Sequence, residues 1–199
     1  WSNQDPTLYA AQGDAGTDYL NAAGEIIIET NYPKGKDFAQ GLGAVKNEEG
    51  KWGFINDENE VVIELNYDGA WPHSTEGLAY VQKNNQCGFI DKSGVERIPL
   101  TYLDAYSFSE GLAMVKKAPG DFAFIDKHGK EIISDLDEVV TRQFKNGEAV
   151  VVRDGQQMTI NQVGICIEGC AAEEPALEEE NRRQKIDRLQ TQASRLQEE

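Results

Sequence analysis

Apolar and polar residues alternate along most of this chain with a period of two, which is typical of β-strands with one buried face. Small and large apolar residues alternate at residues 77–81 (GLAYV). A polar turn follows, and residues 86–90 (QCGFI) form the next apolar stretch. A third kind of stretch, such as residues 60–63 (EVVI), is rich in β-branched residues, which favour strands. The pattern predicts three short strands in succession and almost no helix before residue 172.

The three-strand pattern recurs at an offset of 35 residues. Phe54, Phe89 and Phe124 occupy one position in successive copies, and we predict that they fill the space between neighbouring units. A period between about 20 and 50 residues is typical of repeat arrays such as solenoids and propellers. The residue before each phenylalanine is small, which indicates that a backbone or a large ring lies close to it. These small residues are Gly53, Gly88 and Ala123.

A tight turn links the second and third strands of each copy. Residues 91–94 (DKSG) and 126–129 (DKHG) are two examples, and the corresponding turn at residues 56–59 ends in asparagine. Glycine and asparagine tolerate the left-handed backbone region better than other residues. We therefore predict a positive φ at the last position of each turn.

The repeats predict an all-β array of five 35-residue three-stranded meanders, stacked as an open solenoid-like array and followed by a C-terminal α-helix. Residues 1–16 form a lead-in, and residues 17–170 form the array. The units lie near residues 17–50, 51–85, 86–120 and 121–156, with a partial unit at 157–170. The outer units are degenerate, as capping units are. A closed five-bladed propeller is the alternative, and the two architectures differ in whether the first and last units touch.

Residues 171–199 differ in composition and predict an acidic linker followed by an amphipathic helix. Ile186, Leu189, Ala193 and Leu196 are spaced by 3, 4 and 3 residues, which is an a/d seam of two heptads. A helix of this length is marginally stable alone in water. The seam is therefore expected to pack against a second copy, another protein or the flank of the β-array.

The charge balance limits the classes of partner. The 199 residues include 19 basic and 35 acidic residues, for a net charge of −16. A negative field of this size repels nucleic acid and anionic lipid surfaces, so neither is an expected partner. No apolar run approaches the roughly 20 residues of a spanning helix, so no membrane span is predicted.

The cysteines and the first residue bear on the compartment. Cys166 and Cys170 are separated by a short turn and form either a disulfide or two thiols, whereas Cys87 stands alone in its repeat. A disulfide is typical of oxidising compartments. The chain also begins at Trp1 rather than methionine, as processed or trimmed chains do. Together these features favour a periplasmic or secreted bacterial location.

An aromatic row is the main candidate binding site. Trp71 and Tyr106 are 35 residues apart, and Tyr80 and Met114 lie on a nearby strand face. Stacked repeats align equivalent residues, and aligned rings bind peptides, glycans or partner proteins. The alternative is that Trp71 packs only over the edge of its own unit. His73 lies beside the row and is a further candidate, although a solvated turn histidine is the expected alternative.

No pattern in the sequence predicts catalysis. We find no glycine-rich phosphate loop, no Ser-His-Asp set and no cluster with metal-ligand spacing. His73 and His128 lie in different repeats, and the acidic turns lack the spacing of a calcium loop. We therefore predict no catalytic residue, no metal site and no cofactor.

The units resemble the WG repeat, also called the KWG repeat. Two copies carry the resemblance, at residues 51–79 (from KWGFIN to EGLA) and residues 87–113 (from CGFID to SEGLA), and weaker similarity extends over residues 17–168. The signature tryptophan is present only as Trp52. Cysteine, phenylalanine and glutamine occupy that position at residues 87, 122 and 157. The resemblance implies a bacterial-type repeat module that has no common enzymatic activity and serves in binding or scaffolding.

These observations predict a non-enzymatic protein–protein interaction or scaffold module. Its C-terminal helix is expected to mediate partner binding or self-association. The alternative function is a glycan- or cell-wall-binding protein that uses the aromatic row at Trp71 and Tyr106.

Overall fold

The computed structural model describes residues 8–170. The chain divides into two units, Trp1–Gly169 and Cys170–Glu199. The strands of the first unit form five small antiparallel sheets, and no helix lies within residues 8–170. The predicted helix and its a/d seam lie outside the described residues.

Each sheet is a meander in which strands that are consecutive in sequence pair with one another. The first sheet contains β1 (Tyr9–Gln12), β2 (Thr17–Leu20) and β3 (Ile26–Ile28). The second contains β4 (Lys34–Ala39), β5 (Leu42–Lys46), β6 (Trp52–Ile55) and β7 (Val61–Tyr67). The third contains β8 (Gly69–Ala70), β9 (Leu78–Lys83), β10 (Gln86–Asp91) and β11 (Glu96–Tyr102). The fourth contains β12 (Asp104–Ala105), β13 (Ala113–Ala118), β14 (Asp121–Ile125) and β15 (Glu131–Leu136). The fifth contains β16 (Glu138–Val139), β17 (Glu148–Arg153), β18 (Gln156–Asn161) and β19 (Cys166–Glu168).

The prediction of three strands per unit was wrong for four of the five sheets, which have a fourth strand. In the third, fourth and fifth sheets this strand, β8, β12 or β16, is only two residues long. A two-residue strand cannot display an alternating pattern, so the sequence carries no periodic signal for it. A single residue, Asp68, Leu103 or Asp137, separates it from the last strand of the preceding sheet. The chain therefore passes from sheet to sheet almost without a loop.

The tight turns between the last two strands of each sheet share one geometry. Positive φ occurs at the predicted position in all five turns, at Gly24, Asn59, Gly94, Gly129 and Gly164, which confirms the expectation. The first turn residue is Asn or Asp, and its side chain accepts backbone hydrogen bonds. Asp91 Oδ1, for example, accepts from Ser93 N at 2.9 Å and Val95 N at 3.1 Å.

The core consists of four clusters within residues 8–170, and each lies between two adjacent sheets. An edge-to-face ring pair bridges every one of these interfaces, with centroids 4.7–5.1 Å apart. The pairs are Tyr19–Phe38, Phe54–His73, Phe89–Phe108 and Phe124–Phe144. The prediction that Phe54, Phe89 and Phe124 fill the space between units is confirmed, since all three are fully buried.

Gly53 and Gly88 lie against the backbone of the next strand, as the small residues in the second strand predict. A Cβ at Gly53 would lie 2.4 Å from Ile63 O, and one at Gly88 would lie 2.6 Å from Ile98 O. Both glycines face a bulge in the partner strand. The paired residues on either side of the bulge are two positions apart in β6 or β10 but four positions apart in the partner strand. In the fourth sheet the bulge is smaller, because the paired residues are two positions apart in β14 and three positions apart in β15. Ala123 occupies the equivalent position there.

Candidate functional site

Trp71 and Tyr106 occupy equivalent positions, each directly after a two-residue strand, β8 or β12. The same backbone bond fixes both residues: Trp71 N donates to Tyr80 O at 3.0 Å, and Tyr106 N donates to Met114 O at 2.9 Å. Their side chains are each 38% exposed. The fold therefore holds two aromatic rings at the surface of adjacent sheets.

Tyr80 forms the buried wall behind Trp71. The two ring centroids are 4.4 Å apart with an interplanar angle of 48°. Tyr80 is 5% exposed, and its hydroxyl is hydrogen-bonded to Cys87 Sγ at 3.1 Å. Burial, this hydrogen bond and the charge of Asp104 all raise the pKa of Tyr80 well above its usual range. The phenol is therefore neutral and fixed in place.

The three rings line one cleft with a volume of about 420 Å³, which we call the aromatic cleft. Its lining residues are Trp71, Tyr80, Gln82, Asp104, Ala105, Tyr106, Ser107 and Arg142. The structure thus brings together three of the four residues that the sequence selected as binding candidates. Trp71 does pack against Tyr80 of its own sheet, but it also faces the neighbouring sheet across the cleft.

Cations from the flanking sheets lie on both exposed rings. Lys36 Nζ, from the second sheet, is 3.8 Å from the Trp71 ring centroid and donates to Ala70 O at 2.7 Å. Burial lowers the pKa of Lys36 to about 8. The Arg142 guanidinium, from the fifth sheet, is 5.5 Å from the Tyr106 ring centroid. The π faces of the row therefore already attract positive charge within the protein.

Asp104 supplies the acidic group of the cleft. It lies in β12, and its Oδ1 accepts a hydrogen bond from Ala105 N at 2.9 Å. Among residues 8–170 it forms no ion pair, whereas Asp68 and Asp91 pair with Lys51 and Arg97. The carboxylate is therefore available to a donor that enters the cleft.

His73 is not part of the cleft, and the expectation of a solvated turn histidine was wrong. It is 3% exposed and packs its ring on Phe54 in the interface between the second and third sheets. Burial, the largest effect, lowers the pKa of His73, and the nearby Asp91 backbone opposes it, although neither ring nitrogen forms a hydrogen bond of good geometry among the described residues. It takes the position that Phe108 has in the next interface. The other histidine, His128, is exposed in its turn as expected.

Sequence reasoning missed Lys36, Asp104 and Arg142. The period contained a signal for two of them, because Lys36 precedes Trp71 by 35 residues and Arg142 follows Tyr106 by 36. The period gave no indication of Asp104, because the residue 35 positions earlier, Gly69, has no side chain that could bind a ligand. The Trp71 ring covers that glycine, where a Cβ would lie 2.9 Å from Trp71 Cζ3. Met114, expected near the row, is buried in the core.

Within residues 8–170, no group of three or more His, Cys, Asp or Glu residues is arranged to hold a metal ion. The predicted absence of catalytic residues, metal and cofactor stays a prediction. No helix among the described residues is long and apolar enough to cross a membrane.

The family model for the WG containing repeat matches residues 19–52, 52–87 and 88–118. The chain belongs to the WG repeat family. Beyond residue 118 the structure continues with sheets of the same kind, although the family signature residues fade there. This WG repeat protein has no match among curated proteins.

Solved structures support the all-β fold alone. The computationally designed Ika8 protein is 13% identical with a TM-score of 0.52, over 84% of this chain and 58% of that one. A eukaryotic initiation factor is 10% identical with a TM-score of 0.51, over 80% and 50%. Kluyveromyces lactis Hsv2 with loop 6CD replaced by a Gly-Ser linker is 9% identical with a TM-score of 0.50, over 80% and 60%. The match thus spans half to three fifths of those chains.

Proposed function

We propose that this WG repeat protein is a non-enzymatic interaction module that binds a segment of a partner protein in the aromatic cleft. The observation that carries the proposal is the exposure of Trp71 and Tyr106 in one concave surface. Tryptophan and tyrosine are among the residue types that contribute most to binding at protein interfaces.

The rigidity of the cleft supports this function. Trp71 and Tyr106 are anchored by backbone hydrogen bonds to strands β9 and β13, and Tyr80 is buried behind them. A site that is already ordered loses little conformational freedom when a ligand binds. More of the interaction energy then remains as affinity.

A glycan is the second candidate ligand. The polar side chains of Asp104 and Gln82 line the cleft together with the rings of Trp71 and Tyr106. The apolar face of a sugar can pack on an aromatic ring while its hydroxyl groups bond to the polar side chains. The same cleft therefore suits a glycan or cell-wall fragment.

The C-terminal a/d seam is proposed as a second contact. Ile186, Leu189, Ala193 and Leu196 form an apolar stripe in the sequence that favours pairing with another helix. The occupant is a second copy of the chain or another protein.

We further propose that the array is open rather than closed into a ring. Phe124 of the fourth sheet is fully buried, whereas the equivalent Thr159 of the fifth sheet is half-buried. Leu20 of the first sheet is also half-buried, whereas its equivalent Ile55 is fully buried. In a ring these outer faces would cover each other. Small-angle scattering of residues 1–170 distinguishes the two shapes.

An extracytoplasmic bacterial location is proposed together with a disulfide between Cys166 and Cys170. Cys87 is buried as a free thiol. The protein from its native host should gain the mass of two hydrogen atoms on reduction. An unchanged mass would argue against both the disulfide and the location.

Affinity capture from the native host's extract tests the main proposal. The full chain and Trp71→Ala are compared, with Tyr9→Ala as a matched control because Tyr9 is also an exposed aromatic residue, at 47%, outside the cleft. We expect a partner to be retained by the full chain and Tyr9→Ala and lost by Trp71→Ala, with capture carried out well below the melting temperature of each variant.

Two further experiments determine which part of the chain binds each partner and whether the cleft binds a glycan. A chain that ends at Ala172 should keep the cleft-bound partner and lose any partner of the a/d seam. A glycan array probed with the full chain and Trp71→Ala tests the second candidate. If Trp71→Ala and Tyr9→Ala retained every ligand equally, the aromatic cleft would not be the binding site.

A further inference from the structure

We infer that the ligand of the aromatic cleft presents a basic side chain, an arginine or a lysine, to the ring of Tyr106 and to the carboxylate of Asp104. This inference rests on the proposed function of the cleft as the binding site. It adds the chemical class of the group that enters the cleft.

The rings themselves indicate a preference for cations. Lys36 Nζ lies 3.8 Å from the Trp71 centroid, and the Arg142 guanidinium lies 5.5 Å from the Tyr106 centroid. Both distances are within the roughly 6 Å at which a cation is attracted to an aromatic face. Each cation comes from a sheet next to the one that carries its ring. The row is therefore built to hold positive charge at its surface.

Asp104 provides the complementary charge. Its carboxylate lies close enough to Tyr80 and Cys87 to raise the pKa of both groups further, after the larger effect of burial. No basic side chain within residues 8–170 forms an ion pair with Asp104. An incoming guanidinium or ammonium group would therefore gain this carboxylate and, once Arg142 is displaced, the face of the Tyr106 ring. Charge-assisted hydrogen bonds of this kind are stronger than neutral ones.

The net charge of the whole chain also favours a basic ligand. The net charge of −16 attracts cationic ligands over long range and repels acidic ones. The cleft volume of about 420 Å³ accommodates one long side chain and its flanking backbone. Salt at high concentration should weaken binding, because it screens this attraction.

The effect of removing Arg142 on ligand affinity depends on the charge of the ligand. Its side chain is exposed and occupies the face of Tyr106 in the free protein. A basic ligand must displace it and is repelled by it, so removing Arg142 should strengthen binding. An acidic ligand or a glycan would instead use Arg142 as a contact, and its removal would then weaken binding.

The test uses two short peptides of nearly the same shape, of which only one carries a charge. Acetyl-Gly-Arg-Gly-amide carries a guanidinium, and acetyl-Gly-citrulline-Gly-amide carries an uncharged group of nearly the same shape. Each is titrated into the full-length protein while the indole N–H signal of Trp71 is followed by NMR. The variants are Asp104→Asn, Arg142→Ala and, as a control outside the cleft, Arg97→Ala.

We expect the arginine peptide to bind about tenfold more tightly than the citrulline peptide, in line with the strength of cation–π and charged contacts. Asp104→Asn should remove most of that difference, Arg142→Ala should tighten arginine binding, and Arg97→Ala should change neither. Equal binding of the two peptides, no saturable shift with either, or weaker arginine binding by Arg142→Ala would overturn the inference. If partner capture still depended on Trp71 in that case, the proposed function would stand and only the basic side chain would be wrong.

Discussion

The carboxylate of Glu110 in the fourth sheet accepts a hydrogen bond from the backbone N–H of Gly147 in the fifth sheet at 2.8 Å. Its other oxygen accepts from Asn146 N, also at 2.8 Å. Glu76 makes the corresponding contact one interface earlier, with Gly111 N at 2.9 Å. A glutamate that directly precedes the turn glycine of one repeat thus holds the turn of the next repeat.

Replacing Glu110 with glutamine should weaken this link. A glutamine side chain has one acceptor oxygen instead of two and no charge, so at least one of the two backbone bonds is lost. We expect the free energy of unfolding to fall by roughly 1–2 kcal/mol. Urea denaturation measures the change, and Glu148→Gln is the control because Glu148 is exposed and forms only backbone bonds. Equal stability of the two variants would contradict the role of the Glu110 carboxylate.

Gly88→Ala should destabilise the third sheet. The new Cβ would lie 2.6 Å from Ile98 O, a backbone atom that cannot move without shifting β11. Overpacking of this kind typically costs about 1–3 kcal/mol. Ala123→Gly provides the matched reference at the equivalent position, where we expect a loss of about 1 kcal/mol from added backbone freedom. A Gly88→Ala protein as stable as the parent would mean that the bulge yields freely.

His73→Phe should stabilise the protein and remove an acid-sensitive component. Burial lowers the pKa of His73 below its usual value of 6.5, so the unfolded chain binds the proton first. Stability that is present above pH 6.5 is then lost as the pH falls from 6.5 through the lower pKa of the folded state. Phenylalanine occupies the equivalent position in the other interfaces between sheets, and its ring has no nitrogen that would need a hydrogen-bond partner.

Thermal unfolding between pH 4.5 and 8 tests this expectation. His73→Phe should melt at a higher temperature than the parent, and the difference should grow as the pH falls below 6.5. His128→Gln serves as the control, since His128 is exposed in its turn. An unchanged pH profile in His73→Phe would show that the buried imidazole does not limit stability in acid.

Charging the helix seam should abolish assembly without unfolding the array. The change is Ile186→Glu together with Leu189→Glu, which puts two charges on the apolar stripe. Light scattering and partner capture report assembly, and the melting temperature reports the β-array. If oligomeric state and partner capture were both unchanged in the double variant, the seam would not be an interaction surface.

The sequence predicted the repeat, the strand character and the buried ring series, because each depends on spacings within one chain segment. It did not predict where a sheet begins, since a period carries no phase, and β8 and β12 are too short to leave a pattern. It also did not predict the burial of His73. This burial follows from the position of His73, which is equivalent to Phe38 and Phe108 in the ring pairs between sheets, rather than from the chemistry of histidine. The cleft was partly predictable: Trp71 and Tyr106 follow the period, whereas Asp104 departs from it.

The meander topology has a consequence for how the chain reaches its fold. Every strand pairs with a strand that is adjacent in sequence, and every core cluster joins two consecutive sheets. Each core cluster therefore draws on two consecutive repeats, about 70 residues, and an inner sheet finds all its partners within three repeats. Contacts this local close quickly and at little entropic cost. Each sheet can dock on its predecessor while the ribosome is still synthesising the next, so the array matures in the order in which it is translated.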